Sequence, residues 1–80
     1  MERCDVRYRL SITLCRPMHP PTRWIGGFTW DAVTGFQLDC QDLPSDVARA
    51  VLSGLRRNGH YGDGCMLSDG RYVSYSGRAA

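Results

Sequence analysis

Along residues 5–15, Val6, Tyr8, Leu10, Ile12 and Leu14 alternate with Arg7, Arg9, Ser11 and Thr13. A period of two with β-branched residues predicts a strand with one buried face and one wet face. Pro17, Pro20 and Pro21 then break it, because proline donates no hydrogen bond to a ladder. Residues 22–30 predict a second strand with Trp24, Phe28 and Trp30 in phase. Gly26-Gly27 inside it predicts a bulge or sharp bend. Residues 31–35 close a hairpin into a third strand over 35–41, where Phe36, Leu38 and Cys40 alternate with Gln37, Asp39 and Gln41.

The period then changes. Val47, Val51 and Leu55, with Ala48 and Leu52 beside them, form an i, i+4 stripe that predicts a helix over 43–58. Asp42 or Ser45 is the expected N-cap and Pro44 suits the first turn. Asp46 lies near the positive end of the helix dipole, Arg56 and Arg57 near the negative end, and Asn58-Gly59 stops the helix. A closing hairpin pairs 65–68 with 71–75 around Asp69-Gly70, the dipeptide preferred in a two-residue type I′ turn. That register sets Leu67 opposite Tyr72 and Met66 opposite Val73. Residues 58–64 form a glycine-rich connection, and 77–80 a loose tail.

The order β-β-β-α-β-β predicts an α+β domain, an antiparallel sheet of about five strands with one helix packed on one face. A chain this short buries only about 60% of its unfolded surface, so its core is marginal. Trp24, Phe28, Trp30 and the helix stripe are expected to supply most of that core, and loss of either tryptophan to unfold the domain. The other sheet face would carry Arg7, Arg9, Gln37 and Asp39.

Composition narrows the class. Eighty residues make one domain, and 42% hydrophobic residues with a net charge of +2 exclude a disordered tail. No apolar run nears the ~20 residues that span a bilayer, and the N-terminus lacks an apolar secretory core, so a cytoplasmic protein is expected. All 10 basic residues are arginine. Codon usage in a GC-rich bacterium, or in a phage or mobile element living in one, accounts for that better than a need for bidentate donors. Residues 24–48 carry four aspartates and no base, whereas the segments on either side are each net +3. A nucleic-acid binder would gather a larger basic excess on one face, so a protein partner fits the balance better.

Four cysteines, Cys4, Cys15, Cys40 and Cys65, raise the question of metal. Cys15-x3-His19 and His60-x4-Cys65 would make a Cys2His2 set, but there is no CxxC and prolines crowd the first pair. No metal and no cofactor are expected. Cys4 and Cys40 read as small buried hydrophobes and all four as reduced thiols. A Cys–His nucleophile would also need an orienting group and a water-excluding cleft, for which a one-helix domain leaves little volume, so no enzyme is expected. The glycines at 59, 62 and 64 do not precede a helix and make a poor phosphate cradle. Arg7, Arg9, Arg16 and Arg23 with Tyr8 and Trp24 give the alternative reading, a nucleic-acid-binding domain with a basic, aromatic sheet face.

Protein binding fits better. Met18 and His19 lie in a stiff proline-rich loop, and Arg7, Arg9, Arg56, Arg57 and Tyr61 are the candidate partner-binding residues, of types enriched at interface centres. In its small size, lysine-free composition and lone helix at 43–58 against short strands, the chain resembles small phage-encoded inhibitors of host defence, anti-CRISPR proteins above all. That resemblance is one of kind and carries over no functional residue. It implies a non-catalytic protein, monomer or homodimer in the host bacterial cytoplasm. Such a protein would block a larger bacterial protein or ribonucleoprotein complex by covering its DNA-binding or nuclease-recruiting surface.

Overall fold

The computed structural model describes residues 6–79. In chain order they form β1 (Val6–Cys15), β2 (Thr22–Asp31), β3 (Gly35–Asp39), the helix α1 (Ser45–Asn58), a single 3-10 turn (Gly59–Tyr61), β4 (Asp63–Met66) and β5 (Tyr72–Ala79). The expected α+β order holds. The five strands form one antiparallel sheet in the order β3-β2-β1-β5-β4. β3 and β4 are therefore opposite edges, and α1 carries the chain from one to the other. It does not run straight across the sheet: Asp46 near its start reaches Arg71 beyond β4 and Arg57 at its end reaches Asp63 on β4, so it lies along that side of the sheet. Asp5 and Cys4 lie outside the described residues, as does Ala80.

Alternation in β1 turns Leu10, Ile12 and Leu14 toward the helix, where all three are buried. The core joins them to Phe28, Val73 and Tyr75 from the sheet and to Val47, Val51 and Leu55 from α1. Trp24 packs beside this core, but Trp30, expected within it, is 43% exposed. The helix explains the difference, since it ends at Asn58 and only the 3-10 turn follows it over that end of the sheet. Gly54 completes the buried stripe of α1. Tyr75 lies directly over it and donates its hydroxyl to the Gly59 carbonyl at 2.8 Å, tying β5 to the helix end.

Several local expectations are corrected. Gly26-Gly27 forms no bulge in the β1–β2 ladder, for Leu10 and Arg9 pair with Gly26 and Gly27 in unbroken register. Their bareness serves close approach. A Cβ on Gly26 would lie 2.6 Å from the Asp39 carbonyl oxygen, where the chain leaves β3. β3 itself ends at Asp39, short of the expected 41.

Neither Asp42 nor Ser45 caps α1. Pro44 is the N-cap, its carbonyl accepting from the Ala48 N–H at 2.9 Å, and Ser45 is already helical. Asp46 instead takes the Val47 N–H at 2.8 Å. At the other end the helix stops at Gly59 as expected, with a positive φ of 67°, and the Gly59 N–H reaches the Leu55 carbonyl.

The closing hairpin is one residue out of the expected register. Met66 pairs with Tyr72 and Cys65 with Val73, around the three-residue loop Ser68-Asp69-Gly70. A type I′ turn needs positive φ at both central residues, and only Gly70, at 91°, supplies it. Asp69 keeps negative φ and accepts the Arg71 N–H instead. A slip of one exchanges faces, so Cys65 and Val73 point inward. Residues 77–79, expected as a loose tail, are the end of β5, with Gly77 and Arg78 paired to Leu10 and Arg9.

Two ion-pair groups tie the helix to this hairpin. Arg71 binds both Asp69 and Asp46, linking the turn to the start of α1, and Arg57 at its end binds Asp63 on β4. These guanidinium hydrogen bonds hold the Asp46 and Asp63 carboxyls below the usual carboxylate range. A depressed folded-state value adds stability above the unfolded value, near pH 4, and loses it as pH falls through the folded value. The melting temperature is therefore expected to hold between pH 7 and pH 5 and to fall below about pH 4. Asp46→Asn and Asp63→Asn should each flatten that fall, measured by thermal unfolding across pH. Both pairs are solvent-accessible, so added salt should shrink the effect.

Candidate functional site

The outer sheet face, away from α1, is built by the alternate positions of all five strands. Reading across paired strands, Gln37, Thr29 and Arg7 form one row and Asp39, Gly27, Arg9 and Arg78 the next. Ile25, Ser11 and Ser76 follow, then Arg23, Thr13, Ser74 and Gly64, and lastly Cys15, Tyr72 and Met66. No element of the described chain covers this face. Ile25 is 70% exposed, Met66 66% and Tyr72 42%. Tyr72 reaches over Gly64, where its hydroxyl end fills the space a side chain would need.

Charge is segregated here in a way its linear spacing conceals. Arg7, Arg9, Arg23 and Arg78 share the face with two aspartates, Asp39 and Asp31 at the end of β2. Among the described residues, the Arg57–Asp63, Arg71–Asp46 and Arg71–Asp69 ion pairs lie on the helix side, and these four arginines have none. Two open troughs cross the face and meet at Arg9. One, of about 580 Å³, runs over Gly27 between Arg7 and Asp39. The other, of about 430 Å³, runs between Ile25 and Arg78.

The five residues selected from the sequence divide between two layers. Arg7 and Arg9 stand exposed on the open face. Arg56, Arg57 and Tyr61 sit at the helix end on the other side, where Arg57 is engaged by Asp63 and Tyr61, 83% exposed, stacks on His60. They form no single cluster. Sequence reading missed Arg78, which was assigned to a tail, although Val73, Tyr75 and Gly77 continue the alternation that would have carried β5 through it. It also passed over Ile25.

A second feature lies on the helix side, past the end of α1. Tyr61, His60, Tyr8 and Phe28 stack in sequence at centroid separations of 4.4, 4.5 and 4.9 Å, and Phe36 meets Phe28 edge-on. Tyr8, Phe28, Trp30, Phe36 and His60 line a recess of about 220 Å³, below the roughly 300–1,000 Å³ of most ligand pockets. The aromatic half of the nucleic-acid reading is drawn here. Tyr8 faces inward with Phe28, and Trp24 packs against the core, so neither reaches the arginine face.

The thiol and imidazole candidates are dispersed. Cys15 ends β1 on the outer face, Cys65 lies on the inner face of β4, and His60 is held between Tyr8 and Tyr61. Cys40 packs beside Gly26, where burial and the nearby Asp39 charge push its thiol up. A raised value leaves less thiolate, so Cys40 is a weak nucleophile at neutral pH. Among the described residues no group of three or more His, Cys, Asp or Glu side chains is placed to hold a metal ion. No helix among them is long and apolar enough to cross a membrane.

Fold and surface together define a two-layer α+β domain with one sheet face uncovered. Comparison with family models, with curated proteins and with solved structures finds no match to this chain.

Proposed function

We propose that this is a non-catalytic binding protein that acts by laying its open sheet face on an acidic surface of a larger protein. One observation carries the reading: four arginines without ion-pair partners among the described residues share a face with exposed Ile25, Met66 and Tyr72. Arginine, tyrosine and methionine are enriched at interface centres. Guanidinium groups spread over a floor of small hydroxyl residues and glycines, with Ile25, Met66 and Tyr72 among them, match a surface that is itself acidic and partly apolar. In keeping with the resemblance in kind to anti-CRISPR proteins, the partner would be a bacterial defence complex, blocked sterically.

The nucleic-acid alternative is less favoured. Base stacking on exposed rings gives single-strand binding much of its strength, and the rings proposed for it, Tyr8 and Trp24, lie on the helix side. The test is affinity purification from a GC-rich bacterial host with the wild-type chain and an Arg7→Glu/Arg23→Glu variant. A stoichiometric protein partner that co-elutes with the wild type and is lost with the variant is expected. Absence of such a partner, or a salt-sensitive mobility shift with oligonucleotides as the sole interaction, would refute the reading.

A further inference from the structure

Two arginines stand side by side on neighbouring strands of the open face. Arg9 on β1 is paired directly with Arg78 on β5, and both are exposed. Directly opposed residues of an antiparallel pair project to the same side about 5 Å apart, and like charges so placed destabilise the ladder. Folded domains usually relieve such a pair with a nearby carboxylate. Among the described residues neither arginine has an ion pair or side-chain hydrogen bond. Of the two acids on this face, Asp39 is separated from Arg9 by the bare Gly27, and Asp31 stands two rows away at the end of β2. The next row brings Ser11 and Ser76 together and sets Ile25 beside Ser11. The trough that all five share contains no acid. It offers two guanidinium forks, two hydroxyls and one apolar wall.

We infer that Arg9 and Arg78 form the anchoring seat for a carboxylate on an extended segment of the protein partner, with Ile25 receiving an apolar side chain two residues along that segment. The inference rests on the proposed role of the sheet face and names the chemistry that the face selects. Arginine forks match the planar carboxylate in bidentate fashion. Ile25 stands two residues along and one strand across from Arg9, about 6.7 Å by about 4.8 Å or roughly 8 Å on the diagonal, which alternate side chains of an extended peptide laid obliquely to the strands can span. A nucleic-acid backbone would match the arginines but would offer Ile25 no apolar partner.

The probe is a short peptide carrying glutamate and isoleucine at positions i and i+2, compared with its glutamine counterpart, an oligothymidylate and inorganic phosphate. Binding to the full chain is followed by chemical-shift perturbation and calorimetry. The acidic peptide is expected to perturb Arg9, Arg78, Ser11 and Ile25. At least a tenfold loss is expected for the glutamine peptide and for Arg9→Gln/Arg78→Gln, with unchanged thermal unfolding. Arg9→Lys/Arg78→Lys keeps the charge without the fork and should lose part of the affinity, so the seat stays testable if the glutamine variant misfolds. Equal binding of the two peptides, tighter binding of the oligothymidylate, or phosphate binding that matches the acidic peptide overturns the seat. Retention of the purified partner by Arg9→Gln/Arg78→Gln, with its loss in Ile25→Asp, overturns the seat while leaving the sheet-face reading intact. Loss of partner binding in none of these variants overturns both.

Discussion

Phe28→Ala lowers stability by about 3–5 kcal/mol, because the ring is buried at the centre of the core and its removal leaves a cavity that a sheet cannot collapse to fill. A domain of 80 residues has only about 4–12 kcal/mol in all. The variant should therefore melt more than about 10 °C lower and sit near the edge of folding at 37 °C. The ring is 2% exposed, stacks on Tyr8 and meets Phe36 edge-on, so contacts on two neighbouring strands are lost at once. Trp30, the larger side chain two residues on, behaves differently. It is 43% exposed at the rim of the recess, and Trp30→Ala should cost about 1–1.5 kcal/mol from the apolar area it still covers. Urea titration of both variants decides the matter. A larger loss for Trp30→Ala than for Phe28→Ala would place the core at the wrong end of the sheet.

That contrast shows where the sequence was informative. Alternation in β1 and the stripe of α1 specified their buried faces, because each is set by a local period that tertiary packing did not alter. Trp24, Phe28 and Trp30 were equally in phase on β2, and phase is all that a strand pattern reports. Which of them is covered depends on where α1 ends relative to the sheet, and that is set by the packing of α1 on β4 and β5, which a strand period does not report. The closing hairpin illustrates a different limit. Asp69-Gly70 is compatible with a two-residue turn, but a three-residue loop satisfies the Asp69 carboxylate with the backbone and side chain of Arg71 while Arg71 also reaches Asp46. A local dipeptide could not reveal that distant partner.

The candidate surface was only half legible for a related reason. Arg7 and Arg9 fell on the wet face because β1 is unambiguous. Arg23 and Arg78 join them only once the strand order places β2 and β5 on either side of β1. Charge counted along the chain gives alternating blocks of opposite sign, which argue against any basic face. The same residues sorted by sheet side give four arginines against Asp31 and Asp39 on one face, while Asp46, Asp63 and Asp69 are drawn to the helix side by Arg57 and Arg71. Segregation of this kind belongs to the pairing register, and a linear count averages it away.

Gly26→Ala is the substitution expected to separate the two readings of the paired glycines on β2. If the pair marked a bulge, a methyl group at position 26 would be accommodated by a small change in backbone angles, and an alanine would stabilise the strand by stiffening the unfolded chain. The observed geometry requires the opposite sign. The new Cβ would lie 2.6 Å from the Asp39 carbonyl oxygen and 2.8 Å from the Cβ of Cys40, and backbone cannot swing aside as a flexible side chain can. Relief would require β3 and the segment leading to α1 to move off β2, so the cost should approach the upper end of overpacking, about 3 kcal/mol. Chemical denaturation reads it directly. Part of the loss should be recovered when Cys40→Gly is added, since that removes one of the two obstructing groups while leaving the carbonyl in place. A neutral or stabilising Gly26→Ala would mean that β3 does not cross β2 as closely as its pairing places it.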